Sequence, residues 1–423
     1  MAANLISHPR YGRGVIRQSR HRGFELYVEF QDGLARWVRL DEVQEITGLP
    51  SSVPSLPTLP PDEAFKSRRM VEAFRLGIVP YDSIEEFTFG REKEIEQLLS
   101  WLHSSQESTL LIVGEYGTGK THLLNYAYWR ALDEGFAVAS VEMDPNEVPF
   151  HKPKRIYSHL VQAFRYRPMK GKQIQDFRDF LKEALAKGAF KNHIYFRCLI
   201  GKTSDETLWD WIEARESVAR PWNPYNWGYS YLPNLYDYST AANIYCYLLS
   251  ALSWAAKEVL GLKGLLLLFD EAETIGMPLG YQLVKGYNFL KAIISTAKGE
   301  TALLKPPNQT ELNYCKYAEA VPFLYKQPSV LKLLFAFTPV VESDLPRIDL
   351  PPLPDDALKE VFEHICLLYD GAYNFLEGDL TIDTIFHRVT KHGGRTRMFV
   401  KGSVEALDLI RLNPGRMLDE VLR

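Results

Sequence analysis

Residues 112–124 read "IVGEYGTGKTHLL", and within them Gly114 to Thr121 spell G-x-x-x-x-G-K-T. Glycines at 114, 117 and 119 let the backbone turn tightly and aim its N–H groups at a bound anion. Glu115, Tyr116 and Thr118 fill the variable positions of that cradle and offer their backbone N–H groups to it. The helix that follows adds the positive end of its dipole. Lys120 is placed to reach the β- and γ-phosphates of a nucleotide, and the Thr121 hydroxyl to ligate Mg2+. His122 follows the loop and reads as a packing residue rather than a catalytic one. The context decides against a chance glycine turn: the apolar run "TLLIV" precedes the loop and the amphipathic stretch "THLLNYAYWRALDEG" follows it. Strand, loop and helix in that order make a phosphate loop in a parallel α/β sheet. The expected ligand is ATP with Mg2+. What the nucleotide is for does not follow from the loop.

Reading outward, "AVASVEM" supplies a second strand. "LLLLFDEAE" is a continuous apolar run, as expected for a strand buried on both faces, ending in Asp270 and Glu271. Ligands bind at the carboxyl ends of such strands. Asp270 is the expected Mg2+ partner and Glu271 the expected general base, with Glu273 a surface or switch-region group. A solvated acidic pair is the plain alternative, and the neighbouring phosphate loop argues against it. "LLFAFTPV" ends a further strand at Thr338, placed either to reach the γ-phosphate or lytic water or to make a local backbone bond. In "KHGGRTRMF" a glycine break precedes a helix carrying Arg395 and Arg397. Arg397, ahead of Arg395, is the candidate to close on the γ-phosphate, with a solvated basic helix start standing equal to it. Arg347 in "DLPRIDLPPL" reads as a surface arginine before it reads as a finger acting on a second subunit.

The chain has 423 residues and a formal net charge of −4, room for two or three domains and no global excess of positive charge. Cys198, Cys246, Cys315 and Cys366 are scattered without metal spacing, which points to buried thiols in a reducing compartment. With no signal pattern at the N-terminus and no apolar run long enough for a bilayer, a cytoplasmic protein without membrane contact is expected. Short alternating runs over Gly14–Arg17, Glu25–Phe30 and Ala35–Leu40, with turn residues at Gly23 and Asp32-Gly33, predict a small bent antiparallel barrel over residues 1–48. Residues 49–62, rich in proline and serine, read as a linker. A nucleotide-binding core is expected over 63–350 and a helical segment over 351–423. The core holds an insert at about 165–238, helical and basic in its first half, aromatic and irregular in its second. The early arginines (Arg10, Arg13, Arg17, Arg20, Arg22) and the basic insert are the candidate contacts for DNA. For the insert, a solvated helix face backed by Phe177, Phe180 and Phe190 as core residues is the preferred reading.

Two resemblances attach to these residues. "HPRYGRGVI" with "YVEFQDGLARWVRLDEV" resembles the Tudor-like barrel at the carboxyl end of UvrD-type helicases and in CarD-type RNA polymerase binders. From about Phe65 onward, "RRMVEAFRLGIVP", "FTFGREKEIEQLLSWL", "VGEYGTGKTHLL", "KRIYSHLV", "GLLLLFDEAE", "RIDLPPL" and "GGRTR" resemble the BrxD-like ATP-binding proteins of BREX phage-defence systems. That group is itself similar to AAA+ ATPases that load replication helicases at origins. The resemblance implies an AAA+ P-loop NTPase core of α/β class with a helical lid. It further implies Thr338 and Arg397 in the two sensor positions and "GREKE" (Gly90 to Glu94) near the adenine. It implies an antiviral ATPase working with defence-system proteins such as a helicase, and the possibility of an oligomer. A nucleotide-dependent scaffold that docks partners without turnover is the alternative. The tail after Pro351 is about long enough for the lid alone, which puts a DNA-binding winged helix in doubt.

Overall fold

The computed structural model describes residues 5–8, 12–20, 25–30, 35–39, 44–45, 62–80, 83–169, 171, 173–215, 232–238, 241–310, 312, 321–338, 344–374, 382–392, 396–413, 416 and 420. The chain divides into two compact units, Met1–Asp62 and Glu63–Arg423.

The first unit is an antiparallel sheet of β1 (Leu5–His8), β2 (Gly12–Arg20), β3 (Glu25–Phe30), β4 (Ala35–Arg39) and β5 (Gln44–Glu45), in the order β4-β3-β2-β1-β5. The alternation read from the sequence shows in burial: Val28 and Phe30 sit on one face of β3 and Val38 joins them from β4. A register shift between Ile16 and Gln18 puts an irregularity into β2, which increases local twist. β4 and β5 are the two edges of this order, and no pairing between them closes a ring among the described residues. The expected turns at Gly23 and Asp32-Gly33, and the linker as far as residue 61, lie outside the described residues.

The second unit runs α1 (Asp62–Arg75), α2 (Glu92–His103), β6 (Thr109–Val113), α3 (Lys120–Asp133), β7 (Ala137–Glu142), α4 (Pro153–Gln162), β8 (Arg165–Tyr166), β9 (Gln175–Asp176), α5 (Phe177–Ala186), α6 (Glu206–Ile212) and α7 (Ala242–Glu258). It continues through β10 (Leu265–Asp270), α8 (Tyr281–Lys298), β11 (Leu331–Phe337), β12 (Arg347–Asp349), α9 (Asp355–Tyr373), α10 (Ile382–His392) and α11 (Thr396–Leu412). Its seven-stranded sheet has the order β12-β6-β11-β10-β7-β8-β9; the first five strands are parallel and the β8–β9 hairpin runs antiparallel at the edge.

The apolar strands make this a layered fold. Leu265, Leu267 and Phe269 of β10 enter one core with α4, α5, α7 and α8, while Leu266 and Leu268 enter the other with α2 and α3. Burial of each such side chain contributes about 1.5–3 kcal/mol, so a strand apolar on both faces is held from both sides. The α/β class with a parallel P-loop core, expected from the sequence, is therefore the fold of this unit. A third core is made by α9, α10 and α11 together with Met70, Val71 and Phe74 of α1. Helix α1 thus packs with the C-terminal helices, although it lies at the start of the chain segment expected to be sheet core.

Two strand features were not anticipated. β12 is only three residues long, lies between prolines in sequence and buries Ile348 alone, so alternation had nothing to repeat over. Arg347 is exposed there and pairs with Asp349 at 3.4 Å. The insert begins with the β8–β9 hairpin and then turns its phenylalanines inward: Phe177, Phe180 and Phe190 are all core residues. Of the aromatic stretch that follows, residues 220–231 lie outside the described residues.

Candidate nucleotide site

The phosphate loop leaves the carboxyl end of β6, and its first N–H, from Gly114, donates to the Phe337 carbonyl of β11 at 3.1 Å. A Cβ on Gly114 would stand 2.6 Å from Thr118 Oγ1 and 2.9 Å from the Leu350 carbonyl, so only glycine fits. Gly117 and Gly119 have φ of 83° and 103°, the left-handed region the loop needs in order to turn into α3. Thr118 folds back on the loop, its hydroxyl donating to the Glu115 carbonyl at 2.9 Å. Lys120 is buried, and its ammonium donates to the carbonyls of Gly114 at 2.9 Å and Glu115 at 3.3 Å.

The two acidic residues stand opposite. The Thr121 hydroxyl donates to Asp270 Oδ2 at 2.7 Å, tying the first turn of α3 to the end of β10. Asp270 Oδ1 accepts the Glu271 N–H at 2.9 Å. Burial pushes the Asp270 carboxyl above its ordinary range despite the Thr121 and Glu271 bonds, and Glu273 adds to the rise. Glu271 is raised in the same direction, first by burial and then by the Glu273 and Asp270 charges. Glu271 also has φ of 51°, a left-handed conformation that costs a side-chain-bearing residue energy. Two carboxyls whose ionised forms are disfavoured, with the Glu273 charge acting on both, make a place where a cation would be welcome. Mg2+ needs only one or two protein groups beside phosphate oxygens and water, so Thr121 and Asp270 form a fitting donor set.

A cavity of about 250 Å³ opens in front of the loop. Tyr116 to His122 and Glu271 form its polar wall; Phe74, Val79, Phe87, Phe89, Leu353 and Val361 are among its apolar lining, and Arg397 and Val400 of α11 reach it from the C-terminal helices. Arg397 lies across Gly77, where an added Cβ would come within 2.9 Å of its Cγ. Arg395 lies outside the described residues. Thr338 is half-buried immediately after β11, next to the strand that receives the Gly114 bond, and is not part of the cavity wall.

Arg91, in the "GREKE" stretch, does more than the sequence suggested. Its buried guanidinium donates to the Thr118 carbonyl at 2.9 Å and to the Pro351 carbonyl at 2.7 Å, joining the phosphate loop to the entry of the C-terminal helices. Gly90 before it has φ of 58°, and a Cβ there would meet the Ala357 methyl at 2.6 Å. Thr88 was not anticipated either. Its hydroxyl donates to the Ile84 carbonyl at 2.6 Å and lies 2.8 Å from His122 Nε2. A hydroxyl has one proton to give, so in this arrangement His122 Nε2 is the donor of the second bond. Burial, with the Arg91 charge beside it, pushes the His122 pKa down to about 4. A short Phe-Thr-Phe run before a glycine carries no recognisable pattern by itself, which is why the pairing was not legible.

Comparison with known proteins places the chain as follows. It is similar to a chain of the structure titled "Structure of Drosophila ORC bound to DNA", with 13% identity over 83% of this chain and 68% of that one and a TM-score of 0.35. A likeness that low carries no statement about function. No curated protein sequence matches the chain. Residues 63–174, a little over a quarter of the chain and including the whole phosphate loop, match the family "BREX system ATP-binding protein BrxC/D".

Proposed function

We propose that this protein binds ATP with Mg2+ and hydrolyses it, as an AAA+ component of a BREX-like antiviral system acting with a DNA-processing partner such as a helicase. The observation that carries the reading is the 2.7 Å bond from Thr121 to Asp270, which sets the phosphate loop and the strand-end carboxylates as two walls of one site. The family match over residues 63–174 supports the ATP and the defence context.

In this reading the loop N–H groups beyond Gly114, whose own N–H is taken by the Phe337 carbonyl, hold the phosphates. Lys120 exchanges its two carbonyl partners for phosphate oxygens, a trade of neutral acceptors for charged ones. Thr121 and Asp270 hold Mg2+, which neutralises charge on the phosphates when bound. Glu271, with its affinity for a proton raised by burial, takes the proton of the attacking water. Thr338 orients that water, and Arg397 approaches the γ-phosphate from α11. The apolar part of the cavity takes the base.

The test is ATP titration calorimetry beside phosphate release on the full chain. Lys120→Ala should lose detectable ATP binding. Glu271→Gln should bind ATP as the parent does while its turnover falls about a hundredfold or more. Unchanged ATP affinity in Lys120→Ala rejects the site. Binding by the parent with no phosphate release rejects hydrolysis and leaves a nucleotide-dependent scaffold.

A further inference from the structure

Just beyond Glu271 the chain exposes an apolar ridge that the nucleotide reading does not use. Met277, Leu279, Tyr281, Val284 and Tyr287 are each more than half exposed, from 51% for Tyr287 to 84% for Leu279. Tyr281, Val284 and Tyr287 follow the three-residue spacing of one helix face on α8, whose opposite side is buried through Gly286, Phe289 and Ile293. Across all of α8, from Tyr281 to Lys298, there is no acidic residue, whereas Lys285, Lys291 and Lys298 are basic. Among the described residues none of these three lysines is held in an ion pair. The carboxylates nearest in sequence are Glu273 before the helix and Glu300 after it.

We infer that this face of α8 binds single-stranded nucleic acid, with Tyr281 and Tyr287 stacking on bases and Lys285 and Lys291 meeting phosphates. The charge pattern separates this from a protein docking face: lysine is depleted at protein interfaces, while aromatic rings interleaved with unpaired lysines are the usual equipment of a single-strand groove. The exposed rings choose single strand over duplex, since stacking needs bases freed from their own stack. The two tyrosines are six residues apart, about 9 Å along the helix axis, so they meet different bases rather than one.

The ridge is also wired to the nucleotide site. The connection from β10 to α8, Glu271 to Gly280, begins with a 3-10 turn, Ala272–Gly276, in which the Thr274 N–H and hydroxyl both donate to the Glu271 carbonyl, at 3.1 and 2.9 Å. As part of this inference, a strand bound on α8 is coupled through this connection to the residue proposed as general base. Only this coupling rests on the proposed ATPase; the binding itself does not.

The test is fluorescence anisotropy of a labelled oligothymidylate with the full chain, without nucleotide, at several salt concentrations. Tyr281→Ala with Tyr287→Ala should weaken binding about tenfold or more. Lys285→Gln with Lys291→Gln should weaken it and flatten the dependence of log affinity on log salt by about 1.4, the release of two phosphate counterions. ATP affinity, measured separately, should match the parent in both variants, and phosphate release by the parent should rise when the oligonucleotide is added. No oligonucleotide binding by the parent overturns the inference, and so does parental affinity in both double variants, which would put the contact elsewhere. Sedimentation in which the tyrosine variant loses self-association but keeps oligonucleotide affinity makes the ridge an interface between copies and also overturns it. If the strand binds on α8 but the parent releases no phosphate, the ATPase reading fails while this one stands.

Discussion

Glu271 concentrates the physical tension of the site in one residue. It is held in the left-handed region at φ 51°, and burial and the Glu273 and Asp270 charges all disfavour its ionised form. Because its folded pKa is raised, the penalty is fully present at neutral pH and disappears once pH falls below the ordinary carboxylate range. Glu271→Gln should therefore raise the stability of the nucleotide-free chain at pH 7, by up to about 1 kcal/mol after allowing for solvent screening of a half-buried group. Thermal melts at pH 7 and pH 4 check this: the gain should be seen at the first and not at the second. His122 works with the opposite window. Its pKa is pushed down to about 4, so the unfolded chain takes up a proton first as the solution is acidified. Stability contributed by the neutral ring is intact above about pH 6.5 and is lost as pH falls to 4, a drop of about 3 kcal/mol. Gln at this position keeps an amide donor for Thr88 and cannot titrate. The melting temperature of His122→Gln should fall less than that of the parent between pH 6.5 and 4.

At the scale of elements, α1 is fastened to α11 by one carboxylate. Asp408 accepts from Arg75 Nε at 2.8 Å and Nη2 at 2.7 Å, and from the Tyr369 hydroxyl at 2.6 Å, while Arg411 Nε donates to that same Tyr369 oxygen at 2.8 Å. Burial raises the Asp408 carboxyl, but Arg75 and Tyr369 outweigh it and hold it below the ordinary range. The stabilisation is present at neutral pH and is lost as pH falls through that depressed value. Asp408→Asn keeps the volume and removes the charge from a bidentate pair, and should cost about 2 kcal/mol, read as the shift of a urea midpoint. This clamp explains why α1 moves into the C-terminal core despite standing far from it in sequence. An amphipathic period tells which face of α1 is buried and cannot tell against what. The same limit applies to β12 and to the β8–β9 hairpin, whose strands are two or three residues long. By contrast β6, β10 and β11 were legible, because four or five apolar residues in a row have no other comfortable place than the middle of a two-faced sheet.

On the scale of the molecule's larger unit, the phosphate loop and acidic pair were readable because their chemistry is local, a fixed spacing on one loop and one strand end. The cavity was not, since its walls come from α1, the segment before α2, the loop, the residue after β10, α9 and α11, six stretches brought together only by folding. That distribution has an energetic consequence. A ligand filling the cavity touches the sheet core and the separate C-terminal core at once, and Arg91 already bridges them through the Thr118 and Pro351 carbonyls. Ligand that binds only the folded state stabilises by RT ln(1 + [L]/Kd), about 2.7 kcal/mol at a hundredfold excess over Kd. With a non-hydrolysable ATP analogue and Mg2+, hydrogen exchange should slow both in α3 and in α11. Arg397→Ala should uncouple the two: protection of α3 by the analogue persists, because the loop still holds the phosphates, while the protection gained by α11 shrinks. Equal protection of α11 in this variant and the parent would mean that Arg397 plays no part in closing the cavity. Loss of protection in both helices would mean that the arginine holds the nucleotide itself rather than the lid over it.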